Sequence, residues 1–165
     1  MGLFDFFKKE KDDKNLLKIV SPTNGELLEL SSVPDEVFSQ KMMGDGFAIK
    51  SNDGIIVSPV DGVIEMIFET KHAVGLKTES GLEVLIHLGI DTVNLKGRGF
   101  EVFVKEKQTV NAGDKLIKMD LEYIKSNAPS DISPIIFTNL KENQSVKIVT
   151  GSVKTGEGGR IKILN

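Results

Sequence analysis

The chain holds only two histidines, His72 and His87, and they are its side chains best suited to chemistry near neutral pH. A neutral imidazole nitrogen is nucleophilic, and a phosphorylated one keeps a high transfer potential, so reversible phosphoryl uptake suits them. In Leu82-Glu83-Val84-Leu85-Ile86-His87-Leu88, strand alternation puts Leu82, Val84, Ile86 and Leu88 on a core face. Leu85 and His87 then turn the other way, toward solvent. Gly89 follows at once, and a glycine there lets the backbone bend so that a carbonyl can accept from the imidazole Nδ1. That bond would fix the tautomer and leave Nε2 free as the nucleophile. His72 has a hydroxyl two residues upstream, Thr70, able to orient it in a similar way. On these arguments alone, two unrelated surface histidines remain an open alternative.

Other chemistries find less support. His72, His87 and Asp91 could in principle hold zinc, but a catalytic zinc site wants three ligands from a tight motif such as H-E-x-x-H, and none is present. No G-x-S-x-G elbow exists for a serine nucleophile, and Gly97-Arg98-Gly99 lacks the context of a nucleotide loop and reads as a turn. The absence of cysteine removes disulfides and thiolate chemistry, and fits a reducing cytoplasm. The net charge is -3 and the Lys and Arg residues are scattered, which leaves no basic stripe for nucleic acid.

The elements that must position the histidines are short. At 39% hydrophobic and 27% charged residues, the composition is that of a globular chain with a core. From Leu17 onward, apolar runs are cut by turn residues: Leu17 to Val20, Glu26 to Leu30, Phe47 to Lys50, Ile55 to Val57 and Val63 to Phe68 come first. Ala73 to Thr78 and Leu82 to Leu88 flank Glu79-Ser80-Gly81. Phe100 to Val104, Lys115 to Met119, Ile135 to Thr138, Val146 to Val149 and Arg160 to Leu164 follow. Asn52-Asp53-Gly54 between two runs is a strong hairpin signal. Turn signals this frequent predict an all-β fold, an antiparallel sandwich with helix confined to two short pieces, Glu36 to Met43 and Leu121 to Ser126.

The start differs from the rest. Leu3, Phe4, Phe6 and Phe7 share one side of a helical wheel, ahead of Lys8, Lys9 and Lys11. A helix this short is marginal in water, so residues 1–14 are expected to be a mobile amphipathic tail and linker, and 15–165 the domain. The tail reads equally as a disordered leader or as a weak interfacial helix for an anionic membrane surface. It is not a secretory signal, because its charges follow the apolar residues, and no run approaches the roughly 20 residues that span a bilayer. Phe6 stands where a myristoylation signal needs Ser or Thr.

Several stretches together resemble a known family. They are Val33-Pro34-Asp35, Gly44-Asp45-Gly46, Ala48-Ile49-Lys50, Pro59-Val60-Asp61-Gly62, Ile67-Phe68-Glu69-Thr70 and His72-Ala73. His87, Gly89-Ile90-Asp91-Thr92-Val93, Leu95-Lys96-Gly97, Gly99-Phe100 and Val110 complete the pattern. From about Ile19 to the C-terminus the chain resembles the glucose-type IIA component of the bacterial sugar phosphotransferase system, and its first residues, Met1 to Asp5, resemble the stand-alone members. The resemblance implies a β-sandwich phosphocarrier in the cytoplasm, phosphorylated on Nε2 (the tele nitrogen) of His87. The small phosphocarrier HPr would be the donor, and a cysteine on the IIB domain of a sugar permease the acceptor. His72 matches the auxiliary histidine, Thr70 the hydroxyl that orients it, and Gly89 the residue whose carbonyl holds Nδ1. Asp35 and Asp91 match carboxylates that meet arginine on the donor.

The resemblance also implies an apolar docking patch, here Val37, Phe38, Met42, Met43, Phe68, Leu85 and Val93. Phe38 and Leu85 are expected to be exposed beside the reactive histidine, as transient docking requires. Leu85 stands where some relatives have phenylalanine, and methionine suits a surface that docks partners in turn. Members of the family also regulate other proteins, so transporters or kinases join the expected partners. No cofactor is expected in the free protein, although His72 and His87 are candidate ligands for a zinc ion shared with a partner carboxylate. The rival readings are a zinc-dependent hydrolase on a similar scaffold and a non-catalytic regulatory binding module.

Overall fold

Turn-forming residues leave no apolar run long enough for an extended helix, and the runs fold as strands of which the longest has 7 residues. A computed structural model describes residues 17–165, so the tail expected over 1–14 lies outside the described residues. The strands are β1 (Gly25–Glu29), β2 (Asp45–Ser51), β3 (Ile55–Val57), β4 (Gly62–Ile67), β5 (Ala73–Lys77), β6 (Glu83–His87) and β7 (Phe100–Val102). They continue as β8 (Thr109–Val110), β9 (Lys115–Met119), β10 (Ser133–Phe137), β11 (Ser145–Ile148), β12 (Gly151–Val153) and β13 (Ile161–Leu164). The helices are α1 (Glu36–Ser39) and α2 (Leu121–Asn127). Among the described residues, no helix is long and apolar enough to cross a membrane.

Eight strands form one antiparallel sheet in the order β12-β1-β2-β10-β6-β5-β4-β8. A three-stranded sheet, β3-β9-β7, and the pair β11-β13 complete an antiparallel β-sandwich, as expected. Alternation divides the large sheet's side chains between two cores. Phe47, Ile49, Val84, Ile86, Ile135 and Phe137 face inward and meet Ile56, Leu116, Ile117 and Met119 of the smaller sheet. On the opposite face, Ala48 and Ile136 join Leu30, Val33, Phe38 and Ile90 in a smaller cluster, with Leu28 and Leu85 packed on it. Strand β10 is buried on both faces over its whole length.

The structure departs from the sequence reading at four places. Asn52-Asp53-Gly54 does turn the chain, but β2 and β3 do not pair: β2 lies between β1 and β10, and β3 pairs with β9. The turn is a corner between layers. Asp53 accepts from the Ile55 amide (3.0 Å), while Gly54, at φ 79, brings its carbonyl to the Met119 amide at 2.7 Å. A Cβ at Gly54 would lie 2.1 Å from the Met119 carbonyl oxygen, so strand β3 can enter the second sheet only through glycine. The helix expected over Glu36 to Met43 ends at Ser39, because Lys41 turns left-handed at φ 59 and its amide bonds to Phe38. Leu17 to Val20 lies outside any sheet, although the Val20 amide bonds to the Pro59 carbonyl. The short edge strands β8 and β12, two and three residues long, are too brief to leave an apolar run in the sequence.

Candidate functional site

Hairpin β5–β6 builds the centre of the site. Its register sets Ala73 opposite His87, so His72, just ahead of β5, comes beside the last residue of β6. The Leu88 amide bonds back to the His72 carbonyl (2.7 Å), and the two imidazole rings meet edge to face with centroids 5.0 Å apart. A tight turn feeds His72 into place, with the Lys71 amide on the Phe68 carbonyl (2.7 Å) and Lys71 at φ 60. Thr70 Oγ1 lies 2.5 Å from His72 Nδ1. His87 Nδ1 donates to the Gly89 carbonyl at 2.9 Å, and Gly89 bends the chain to allow it at φ 74. A carbonyl can only accept, so the His87 proton sits on Nδ1 and Nε2 keeps its lone pair.

Burial sets the charge of both rings. His72 is 5% exposed, and its pKa is pushed down to about 4, chiefly by burial and then by the neighbouring His87. Burial also lowers the pKa of His87, while the Gly89 carbonyl and the carboxylates of Asp35 and Asp91 pull it upward. The balance for His87 remains downward, which keeps a neutral nucleophile at pH 7.

The loop after β6 is held by groups the sequence reading missed. The Gly89 amide donates to the hydroxyl of Ser133 (3.0 Å), on β10, and that hydroxyl donates to the Asp131 carbonyl (3.2 Å). The Thr92 hydroxyl bonds to the Leu88 carbonyl at 2.6 Å, and the Ile90 amide to the Ser130 carbonyl at 3.0 Å. Thr92 lay within a stretch already singled out. Ser133 stands 44 residues from Gly89, and no local pattern marks it.

Around the histidines the expected partner residues gather unequally. Asp35 caps α1 by accepting from the Val37 amide (2.9 Å), and Asp91 sits exposed at φ 55. Among the described residues neither carboxylate is paired with Lys or Arg. Val37, Met42, Met43, Phe68 and Val93 are all exposed, Met42 the most at 70%. Leu85 is half-buried on the outer cluster. Phe38 corrects the expectation of an exposed side chain: it is 6% exposed, a member of that cluster, with its ring 4.8 Å from the His87 ring. It is buried because α1 is only one turn, and Phe38 is the residue of that turn directed at the sheet. Phe68 stands edge-on to His72 at 5.3 Å. Among the described residues no three His, Cys, Asp or Glu side chains are grouped to hold a metal ion. Gly97-Arg98-Gly99 forms the turn that was expected.

Comparison with known proteins places this arrangement. Residues 17–143 match the family described as phosphoenolpyruvate-dependent sugar phosphotransferase system, EIIA 1. The chain is 52% identical over 143 residues to a PTS system glucose-specific EIIA component of Staphylococcus epidermidis, covering 87% of this chain and 86% of that protein. It is 49% identical over 139 residues to a PTS system glucose-specific EIICBA component of Staphylococcus carnosus, covering 84% of this chain and 21% of that longer protein. The fold is similar to that of glucose permease IIA from Mycoplasma capricolum, with a TM-score of 0.83, 46% identity, and coverage of 88% of this chain and 94% of the other.

Proposed function

This chain belongs to the phosphoenolpyruvate-dependent sugar phosphotransferase system EIIA 1 family, and on that premise we propose that it carries a phosphoryl group on Nε2 of His87, from HPr to a cysteine of a IIB domain. The observation that carries the reading is the bond from His87 Nδ1 to the Gly89 carbonyl, which leaves Nε2 unprotonated beside a second imidazole. In the first half-reaction the Nε2 lone pair forms a bond to phosphorus as the N–P bond on phosphorylated HPr breaks. The donor histidine leaves with the electron pair. In the second, a IIB thiolate attacks phosphorus and the bond to His87 breaks. The relative named EIICBA supports a IIB domain as the acceptor.

His72 serves both steps. If the Thr70 hydroxyl donates to Nδ1, the His72 proton sits on Nε2 and can bond to phosphoryl oxygens while charge redistributes in the transition state. Burial matters here, since a hydrogen bond in a water-poor site weighs more on the barrier than one in bulk solvent. Asp35 and Asp91, unpaired among the described residues and close enough to raise the His87 pKa, would repel a lone phosphate and attract a cationic partner. Val37, Met42, Met43, Phe68 and Val93 supply the exposed apolar contact, and Leu85 and Phe38 the packed base beneath it. With both Nδ1 atoms engaged, the two rings offer zinc only their Nε2 nitrogens, half of a tetrahedral set, so a partner would have to supply the other ligands. The zinc-hydrolase alternative has no support in the family to which the chain belongs.

Incubation with phosphoenolpyruvate, enzyme I and HPr, followed by phosphosite mapping, tests the reading. His87 should carry an acid-labile phosphate, and His87→Ala should take up none. His72→Gln should still accept phosphate but pass it to IIB about 10²–10³-fold more slowly, the usual loss for one positioned electrostatic group. Full uptake by His87→Ala would end the proposal.

A further inference from the structure

Resting on the reading of His87 as the phosphoryl acceptor, we propose that Ser133 is a positioning residue for it, acting through the backbone of Gly89. Gly89 is held on both sides of its Cα. Its carbonyl receives His87 Nδ1 at 2.9 Å, and its amide donates to Ser133 Oγ at 3.0 Å. Ser133 is 1% exposed, and its own hydroxyl proton goes to the Asp131 carbonyl at 3.2 Å, which fixes the oxygen's lone pairs toward Gly89. The three bonds run in sequence, from His87 Nδ1 to the Gly89 carbonyl, from the Gly89 amide to Ser133, and from Ser133 to the Asp131 carbonyl.

This arrangement has a reason to exist. Gly89 turns at φ 74, a conformation glycine also leaves easily, and a flexible glycine would let its carbonyl swing off the imidazole. Ser133 belongs to β10, which is hydrogen-bonded on both sides, to β2 and β6, and buried on both faces. Anchoring the Gly89 amide there ties the loop that locks the tautomer to a central strand buried over its whole length. Thr92, bonded to the Leu88 carbonyl at 2.6 Å, holds the other end of the peptide that carries the Gly89 amide, and the Ile90 amide, bonded to the Ser130 carbonyl at 3.0 Å, holds the peptide that carries the Gly89 carbonyl. A buried amide left without an acceptor would draw the Leu88–Gly89 peptide toward another partner, turning Gly89 about its φ and shifting the carbonyl on the far side of its Cα.

The test is Ser133→Ala, with Ser133→Cys as the variant of matched size and weaker acceptor, and Ser133→Thr to restore the hydroxyl. Nitrogen-15 NMR of the unphosphorylated protein reads the His87 tautomer without any partner. Wild type should show Nδ1–H alone, and Ser133→Ala a mixture with Nε2–H. Phosphoryl uptake from phosphorylated HPr should slow about tenfold through kcat, with the KM for HPr unchanged, the pattern of a misaimed nucleophile. Ser133→Thr should recover both readings. If Ser133→Ala does not fold, Ser133→Cys decides, with intermediate values expected. A folded Ala or Cys variant with a pure Nδ1–H tautomer and the wild-type rate overturns the proposal. Failure of wild type itself to be phosphorylated would strike the acceptor reading instead, leaving the tautomer result standing.

Discussion

The two faces of the large sheet use the same strands for opposite ends. Inward, Phe47, Ile49, Val84, Ile86, Ile135 and Phe137 meet a second sheet and are shut away from water. Outward, the alternate residues of β2, β6 and β10 meet only one turn of helix and two loops, in a cluster of six buried residues. His87 stands on that thinner side, next to Leu85. The difference separates two jobs. Stability resides mostly in the inner face, where area is buried without interruption, and the outer face can leave apolar side chains and carboxylates uncovered because the fold does not depend on them.

The largest expected effect comes from the inner face. Phe137 is fully buried with its ring 6.2 Å from that of Phe47. Phe137→Ala should cost about 3–5 kcal/mol in denaturant unfolding, while phosphoryl uptake per folded molecule stays as in wild type. Loss of uptake in molecules that remain folded would show that the faces are coupled after all.

The outer face has its own stability signature, in pH. His72 binds its proton only near pH 4 in the folded chain, against 6.5 for the free side chain. Between those values the unfolded chain holds more protons, so stability is complete above about pH 6.5 and falls as pH drops toward 4. The ceiling is about 3 kcal/mol at 1.36 kcal/mol per pH unit, and the depressed His87 adds in the same direction. Unfolding of wild type and His72→Gln at pH 7 and pH 4.5 reads the difference directly. The variant should lose less on acidification, and parallel losses would remove His72 as the cause.

The smallest effect is at the rim. Val93 is 48% exposed, so Val93→Lys should leave stability within about 0.5 kcal/mol of wild type. It removes an apolar contact and adds a charge of the sign expected on the donor, so titrated HPr affinity should fall by about 1–3 kcal/mol, mostly through faster dissociation. Unchanged affinity would move the docking surface elsewhere. Phe38, buried in the outer cluster, would lose stability as well under the same change and cannot separate the two jobs.

What was legible in the sequence was local. The alternation from Leu82 to Leu88 announced a core face and an outward His87, and Gly89 announced the bend that holds it. The spacing of Thr70 and His72 likewise foretold a contact within one turn. Pairing between distant strands left no such trace. Asn52-Asp53-Gly54 looks the same whether the next strand folds back or crosses to another layer, because the turn chemistry is identical and the partner of β3 lies at Lys115–Met119. Apolarity marked Phe38 without saying whether solvent or the sheet would face it. Ser133 carried no mark at all, since a hydroxyl ahead of a proline has no periodicity to betray a bond to Gly89.

Strand β10 also sets a timetable for the molecule's manufacture. Thr70, His72, His87 and Gly89 leave the ribosome together as one hairpin, yet β6 and β2 touch only through β10, which is made later and lies between them. Until Ser133–Phe137 has been added, the hairpin and the segment bearing Asp35 and Phe38 have no common sheet to sit on. The last central strand to be synthesised is thus the one that joins the nucleophile to its docking face, and a chain still being made carries both without their being assembled.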